Sequence, residues 1–76
     1  MTVSTEVDSP LATIRKAHGY SVRHTAKEAR TDPSNLLRIE RGDVMPTVPV
    51  LYRLAGVLGL AELRRLLEPY VPEAKR

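Results

Sequence analysis

Apolar residues recur along the chain at spacings of three and four, and each run is bounded by residues that start or stop helices. Ser9-Pro10 sets an N-cap hydroxyl before a proline at the first helical position, and Gly19 supplies a left-handed stop. Between them Leu11, Ile14, Ala17 and His18 keep the helical spacing, which predicts a first helix over about residues 10–18. Ser21 caps a second, residues 22–29, whose apolar face is thin: Val22, Ala26 and Ala29, with Thr25 where a larger side chain would pack better. Helices shorter than about 12 residues are marginal in water, so this one must be held from outside. Asp32-Pro33 repeats the cap-and-proline pair, and a third helix follows over residues 33–41, with Leu36 and Ile39 inward and Gly42 ending it. Thr47 caps a fourth, in which Val50 or Leu51, Leu54, Ala55 and Leu58 form the apolar stripe; Pro49 is tolerable in its first turn, and Gly59 closes it. Residues 61–68 make a fifth, with Leu63, Leu66 and Leu67 on one side, before Pro69. No strand pattern, repeat or low-complexity segment interrupts this reading. The pattern predicts an all-α domain over residues 9–70, with a disordered arm at 1–8 and a flexible tail at 71–76.

Length and composition narrow the function. A chain of 76 residues holds one small core, without room for a large catalytic cleft between layers. Cysteine is absent, which excludes a disulfide scaffold and a thiolate metal site. His18 and His24 lack the carboxylate-rich surroundings of a zinc site and read as surface residues. Arg53, Arg64 and Arg65 interrupt the longest apolar stretch well short of the roughly 20 residues of a membrane span, and Met1 to Asp8 lack the features of a secretory signal. These observations point to a cytoplasmic protein. Three Tyr, with no Trp or Phe, disfavour base-stacking platforms for single strands. No acid–base pair, phosphate-cradling loop or metal set marks an enzyme, and no cofactor is implied.

The charge is unevenly placed. Of the net +3, residues 15–41 carry seven cations against three acids, whereas residues 1–14 carry only Glu6 and Asp8. A polyanion is the default partner for such a stretch, with a solvated helical face as the bland alternative. The second and third helices, joined by Arg30-Thr31-Asp32, have the spacing of a helix-turn-helix. With Leu36 and Ile39 inward, Pro33, Ser34, Leu37, Arg38 and, more obliquely, Asn35 face outward. That set suits duplex chemistry: Arg pairs with guanine O6 and N7, Asn with adenine N6 and N7, and Leu meets a thymine methyl.

Three stretches carry a family resemblance. They are Leu11-Ala-Thr-Ile-Arg15-Lys-Ala-His-Gly19-Tyr-Ser21, Asp32-Pro-Ser-Asn-Leu-Leu-Arg-Ile-Glu40-Arg-Gly42, and Pro46-Thr47 followed by Leu51-Tyr-Arg-Leu-Ala-Gly-Val-Leu-Gly59. From Leu11 to about Leu67 the chain resembles the Cro/C1-type (XRE-like) helix-turn-helix domains of bacterial and phage repressors. The resemblance implies a compact five-helix, lambda-repressor-like fold in which Arg15 and Glu40 form an internal ion pair. It implies base reading by Pro33, Ser34, Asn35, Leu37 and Arg38. Phosphate contacts would come from Ser21, Val22, Arg23 and Arg41 and from the backbone near Gly42-Asp43, with Arg30 as a further cation beside the DNA backbone. Five positions depart from the family pattern. Val22 stands where glutamine is frequent, Thr25 where leucine is usual, Arg30-Thr31 where Gly-Val is usual, and Asp43 is a poor neighbour for phosphate.

One such helix covers only a few base pairs, so a homodimer is expected, with third helices about 34 Å apart on the duplex and possible assembly only on DNA. The candidate interface is Leu60, Leu63, Leu67, Tyr70 and Val71. The expected function is a sequence-specific double-stranded DNA-binding regulator, a repressor acting by operator occupancy and associated with the nucleoid. Its rival is an antitoxin-like interaction module that binds a partner protein through the leucine-rich C-terminal helix.

Overall fold

The computed structural model describes residues 8–72. Their order is α1 (Pro10–Ala17), α2 (Val22–Glu28), α3 (Pro33–Arg41), α4 (Val48–Val57) and α5 (Ala61–Leu67), followed by a 3-10 turn, Glu68–Tyr70. The fold is all-helical, as the pattern predicts. Of the expected arm, residues 1–7 lie outside the described residues, as do 73–76 of the expected tail. No helix among the described residues is long and apolar enough to cross a membrane.

Local chemistry starts four of the helices. Ser9 and Ser21 hydroxyls accept from the backbone N–H of Ala12 and His24 at 3.1 and 3.0 Å. The Asp32 carboxylate accepts from Asn35 N–H at 2.7 Å, and the Thr47 hydroxyl from Val50 N–H at 3.4 Å. Each cap satisfies a donor that has no partner within its own helix. Four helices also end alike. The residue after the C-cap or at it turns left-handed at Gly19, Arg30, Gly42 and Gly59, with φ of 75°, 59°, 83° and 72°. The residue after each donates its N–H back five positions: Tyr20 to Arg15, Thr31 to Ala26, Asp43 to Arg38 and Leu60 to Ala55. This is the Schellman stop, and Arg30 is its one member with a side chain.

The core gathers Ala26, Ala29, Leu36 and Leu54, with Leu11, Val22 and Val50 packed against it. The thin face of α2 is thereby covered by α3 and α4. From α4, Arg53 also donates through Nη1 to the Ala29 carbonyl at 3.2 Å, a cation on the C-terminal end of α2. This is the external support that a seven-residue helix requires. Thr25 is fully buried, and its hydroxyl has no hydrogen-bond partner among the described residues. An unpaired buried hydroxyl costs stability, and valine has nearly the same shape. Thr25→Val is expected to stabilise the domain by about 1–2 kcal/mol, read as a higher denaturant midpoint at unchanged slope.

Three expectations are corrected. The buried positions of α1 are Ala12 and Arg15, while Ala17 and His18 of the expected stripe are exposed. A charged residue takes the inner position because its guanidinium is paired there. His18 is more than surface decoration, since Nε2 lies 2.9 Å from the Leu58 carbonyl. A carbonyl only accepts, so Nε2 carries the proton and joins the end of α1 to the end of α4. Val71, expected in a flexible tail and at a partner interface, is wholly buried within its own chain and has no surface to offer.

The rest of the C-terminal region is held more lightly. α5 buries no residue completely and has no side-chain N-cap. Arg64 crosses back to α4, its guanidinium carbon 4.6 Å from the Tyr52 ring centroid. A Cβ at Gly56 would come within 3.1 Å of Arg64 Nη1, so the absence of a side chain there makes room for this contact. Tyr20 is half-buried: it stacks on His18 at 5.1 Å and meets His24 at 5.0 Å.

Candidate nucleic-acid interface

α3 is amphipathic in the sense the spacing requires. Leu36 and Ile39 are buried, with Glu40 beside them, while Pro33, Ser34, Leu37 and Arg38 are exposed and Asn35 is half-buried. Two of these outer residues are qualified by their contacts. The Asn35 amide donates to the Thr31 hydroxyl at 2.7 Å, so pairing with a base requires that bond to be exchanged. Leu37, 39% exposed, stands at the lip of a 260 Å³ cavity between α1 and α3, whose wall includes Lys16, Glu40 and Arg41. Arg38 carries no ion pair among the described residues.

Behind this edge, Arg15 and Glu40 fix the angle between α1 and α3. Arg15 Nε donates to one Glu40 carboxylate oxygen at 2.6 Å and Nη2 to the other at 3.2 Å, while Nη1 donates to the Tyr20 carbonyl at 3.0 Å. Both side chains are more than nine-tenths buried. The hydrogen bond it donates to Glu40 holds the Arg15 guanidinium above its already high range; burial opposes it, and attraction to Glu40 and Asp8 adds to it. The two-pronged geometry and the extra carbonyl satisfy the charge in a position where a lone cation would be costly.

Around the outer edge, the start of α2 brings up Ser21, Val22 and Arg23. Ser21 and Arg23 are exposed, and Val22 is half-buried against the core. The end of α3 brings Arg41, Gly42 and Asp43, all exposed. Past it the loop and the first residue of α4 present apolar surface that the sequence reading did not single out: Met45 is 90% exposed and Val48 38%.

Arg30 stands in the turn between α2 and α3 with φ 59°, a conformation that Cβ sterics disfavour. Arg30→Gly is expected to be more stable than Arg30→Ala by about 1 kcal/mol, because both lack the guanidinium and only one keeps a Cβ. Parallel melts of the two variants measure the difference; equal stabilities would contradict strain at this turn.

At the C-terminal end, the residues expected to meet a partner are, besides the buried Val71, Leu60, Leu63 and Leu67, all half-buried, and Tyr70, 71% exposed. Leu66, 70% exposed, was left out of that set. Its spacing of four from Tyr70 was the available signal, since such pairs share one face of a helical segment.

The chain was compared with known proteins. Neither a curated protein nor a solved structure matches it. A family model described as helix-turn-helix matches residues 11–65, well over half of the 76. That stretch contains α1 from its second residue, α2 to α4, both partners of the buried ion pair and the whole outer edge of α3. The family is one of DNA-binding regulator domains and not of enzymes. The chain belongs to the Cro/C1-type helix-turn-helix family and is a DNA-binding regulator of that type.

Proposed function

We propose that the protein recognises a specific operator in double-stranded DNA by laying the outer edge of α3 in the major groove, and represses transcription by occupying that site. The observation that carries this reading is the exposed row Pro33, Ser34, Leu37 and Arg38, presented by a helix whose inner face is anchored. In this arrangement those residues and Asn35 meet base edges. Ser21, Val22, Arg23, Arg30, Arg41 and Gly42 border the phosphates and set the register; at Val22 only backbone N–H is available, and the Gly42 N–H, which donates to the Ile39 carbonyl at 3.0 Å, would be shared with its phosphate. Location in the cytoplasm, on the nucleoid, follows from this activity.

Two copies related by a two-fold axis would set their α3 helices in successive major grooves, about 34 Å apart. Leu60, Leu63, Leu67 and Tyr70, with Leu66 in place of Val71, supply the apolar surface for that contact, which DNA can template. Selection of bound sequences from a random duplex pool tests the proposal. A two-fold symmetric consensus is expected, and no enrichment would overturn it.

The exposure of Leu66 and Tyr70 also favours a second reading, an antitoxin-like contact with a partner protein through α5 and the turn after it. Such a contact would tolerate high salt, whereas phosphate contacts weaken steeply with it.

A further inference from the structure

Beyond the site itself, the ion pairs along its rim fall into an uneven pattern. Arg23 and Arg38 have no ion pair among the described residues. Arg41, at the end of the same helix as Arg38, has one: its Nε lies 3.7 Å from a carboxylate oxygen of Asp43, with both side chains more than three-fifths exposed. Asp43 is an unfavourable residue in this place. It follows the C-terminal end of α3, where the helix dipole is negative and a carboxylate is repelled. Its backbone N–H is bonded to the Arg38 carbonyl at 2.9 Å as part of the helix stop, a role that any residue but proline could fill. Among the described residues the carboxylate has no polar contact other than Arg41.

We infer that Asp43 acts as an internal stand-in for phosphate, holding Arg41 in the free protein and weakening its grip on any duplex. The inference rests on the DNA-binding reading and concerns regulation of the same site. A carboxylate and a phosphate offer the same partner, an anionic oxygen, to the same guanidinium. Because the pair is exposed and solvated, Arg41 can exchange it for DNA at small cost. Phosphate contacts carry no sequence information, so the acid lowers affinity for every sequence by a similar factor. It limits the time spent on non-specific DNA while leaving discrimination to Arg38 and its neighbours. Arg15 and Lys16 face the same cavity as Arg41 but are held by Glu40 and Asp8, at 2.6 and 2.9 Å, which leaves Asp43 as the acid paired with Arg41.

The test is a double-mutant cycle on the full chain with a random-sequence duplex, run across a salt series. Asp43→Asn keeps the size and the backbone bond, and a melt confirms folding. It is expected to tighten binding about 3–10-fold at low salt and to steepen the logarithmic salt slope by up to about 0.9. In an Arg41→Ala background the same substitution should change affinity by less than about twofold, since the held cation is gone. An equal gain in both backgrounds would show general repulsion in place of a held Arg41, and no gain in either would show that the pair is idle; both overturn the inference. If none of the four proteins binds duplex in a salt-sensitive way, the DNA reading itself fails and takes the inference with it.

Discussion

Glu40→Gln is expected to destabilise the domain by about 3 kcal/mol or more, the largest effect of any single change considered, because it leaves the Arg15 guanidinium buried without a counter-charge. A domain of this length has a total stability on the order of 4–11 kcal/mol, so the loss is a large share of what holds it folded. A drop of more than about 12 °C in Tm would accompany it. The same physics sets a contrast. Replacing both partners at once, Arg15→Met with Glu40→Leu, removes two desolvated charges together and should recover most of the loss. Thermal melts of the single and double variants decide the matter. Arg15 stays charged throughout: its raised folded-state pKa means that its contribution persists below the ordinary arginine range and is lost only above it, outside any working pH. A single variant close to wild type would show that the 2.6 Å bond does not set the position of α3.

The second large effect is on recognition. Arg38→Ala is expected to cost about 1–3 kcal/mol of operator binding and to relax the preference at one base position in each half-site, while leaving the rest of the consensus intact. Its exposure and its freedom from ion pairs let it form a two-pronged bond to guanine without first breaking another contact. Arg41→Ala should instead weaken all sequences alike and flatten the salt slope, as a phosphate contact does. Competition binding against a panel of single-base operator variants separates the two. Indistinguishable profiles for these arginines would refute the division between base reading and phosphate grip.

Much of this fold was legible because its helix boundaries are written in local chemistry. Ser9, Ser21, Asp32 and Thr47 each cap the next helix with their own side chain, and a cap depends on three or four consecutive residues only. The outer edge of α3 was legible for a related reason, since burying Leu36 and Ile39 fixes the direction of every other residue on a rigid helix. What the sequence concealed depends on how helices cross. Arg53 reads as an interruption of an apolar stretch, and only the packing of α4 across α2 shows that it reaches the Ala29 carbonyl. The apolar pattern alone misplaced Ala17 and His18 on the inner face of α1, since it passes over a buried arginine that only the family resemblance put inside. Val71 follows a proline and a short turn, the usual signs of a chain leaving its domain, yet the turn directs it inward. Arg30 lies between: glycines end the helices on either side, and its position matches theirs, but only the backbone angle shows that an arginine accepts the same conformation.

The central claim can be tested directly by following backbone amide resonances of the labelled protein as a short duplex is added at low salt. Residues 33–38 are expected to shift most, with 21–23 and 41–43 forming a second group, and added salt should reverse both. Shifts confined to α5 and the turn after it, with α3 unmoved, would contradict the claim.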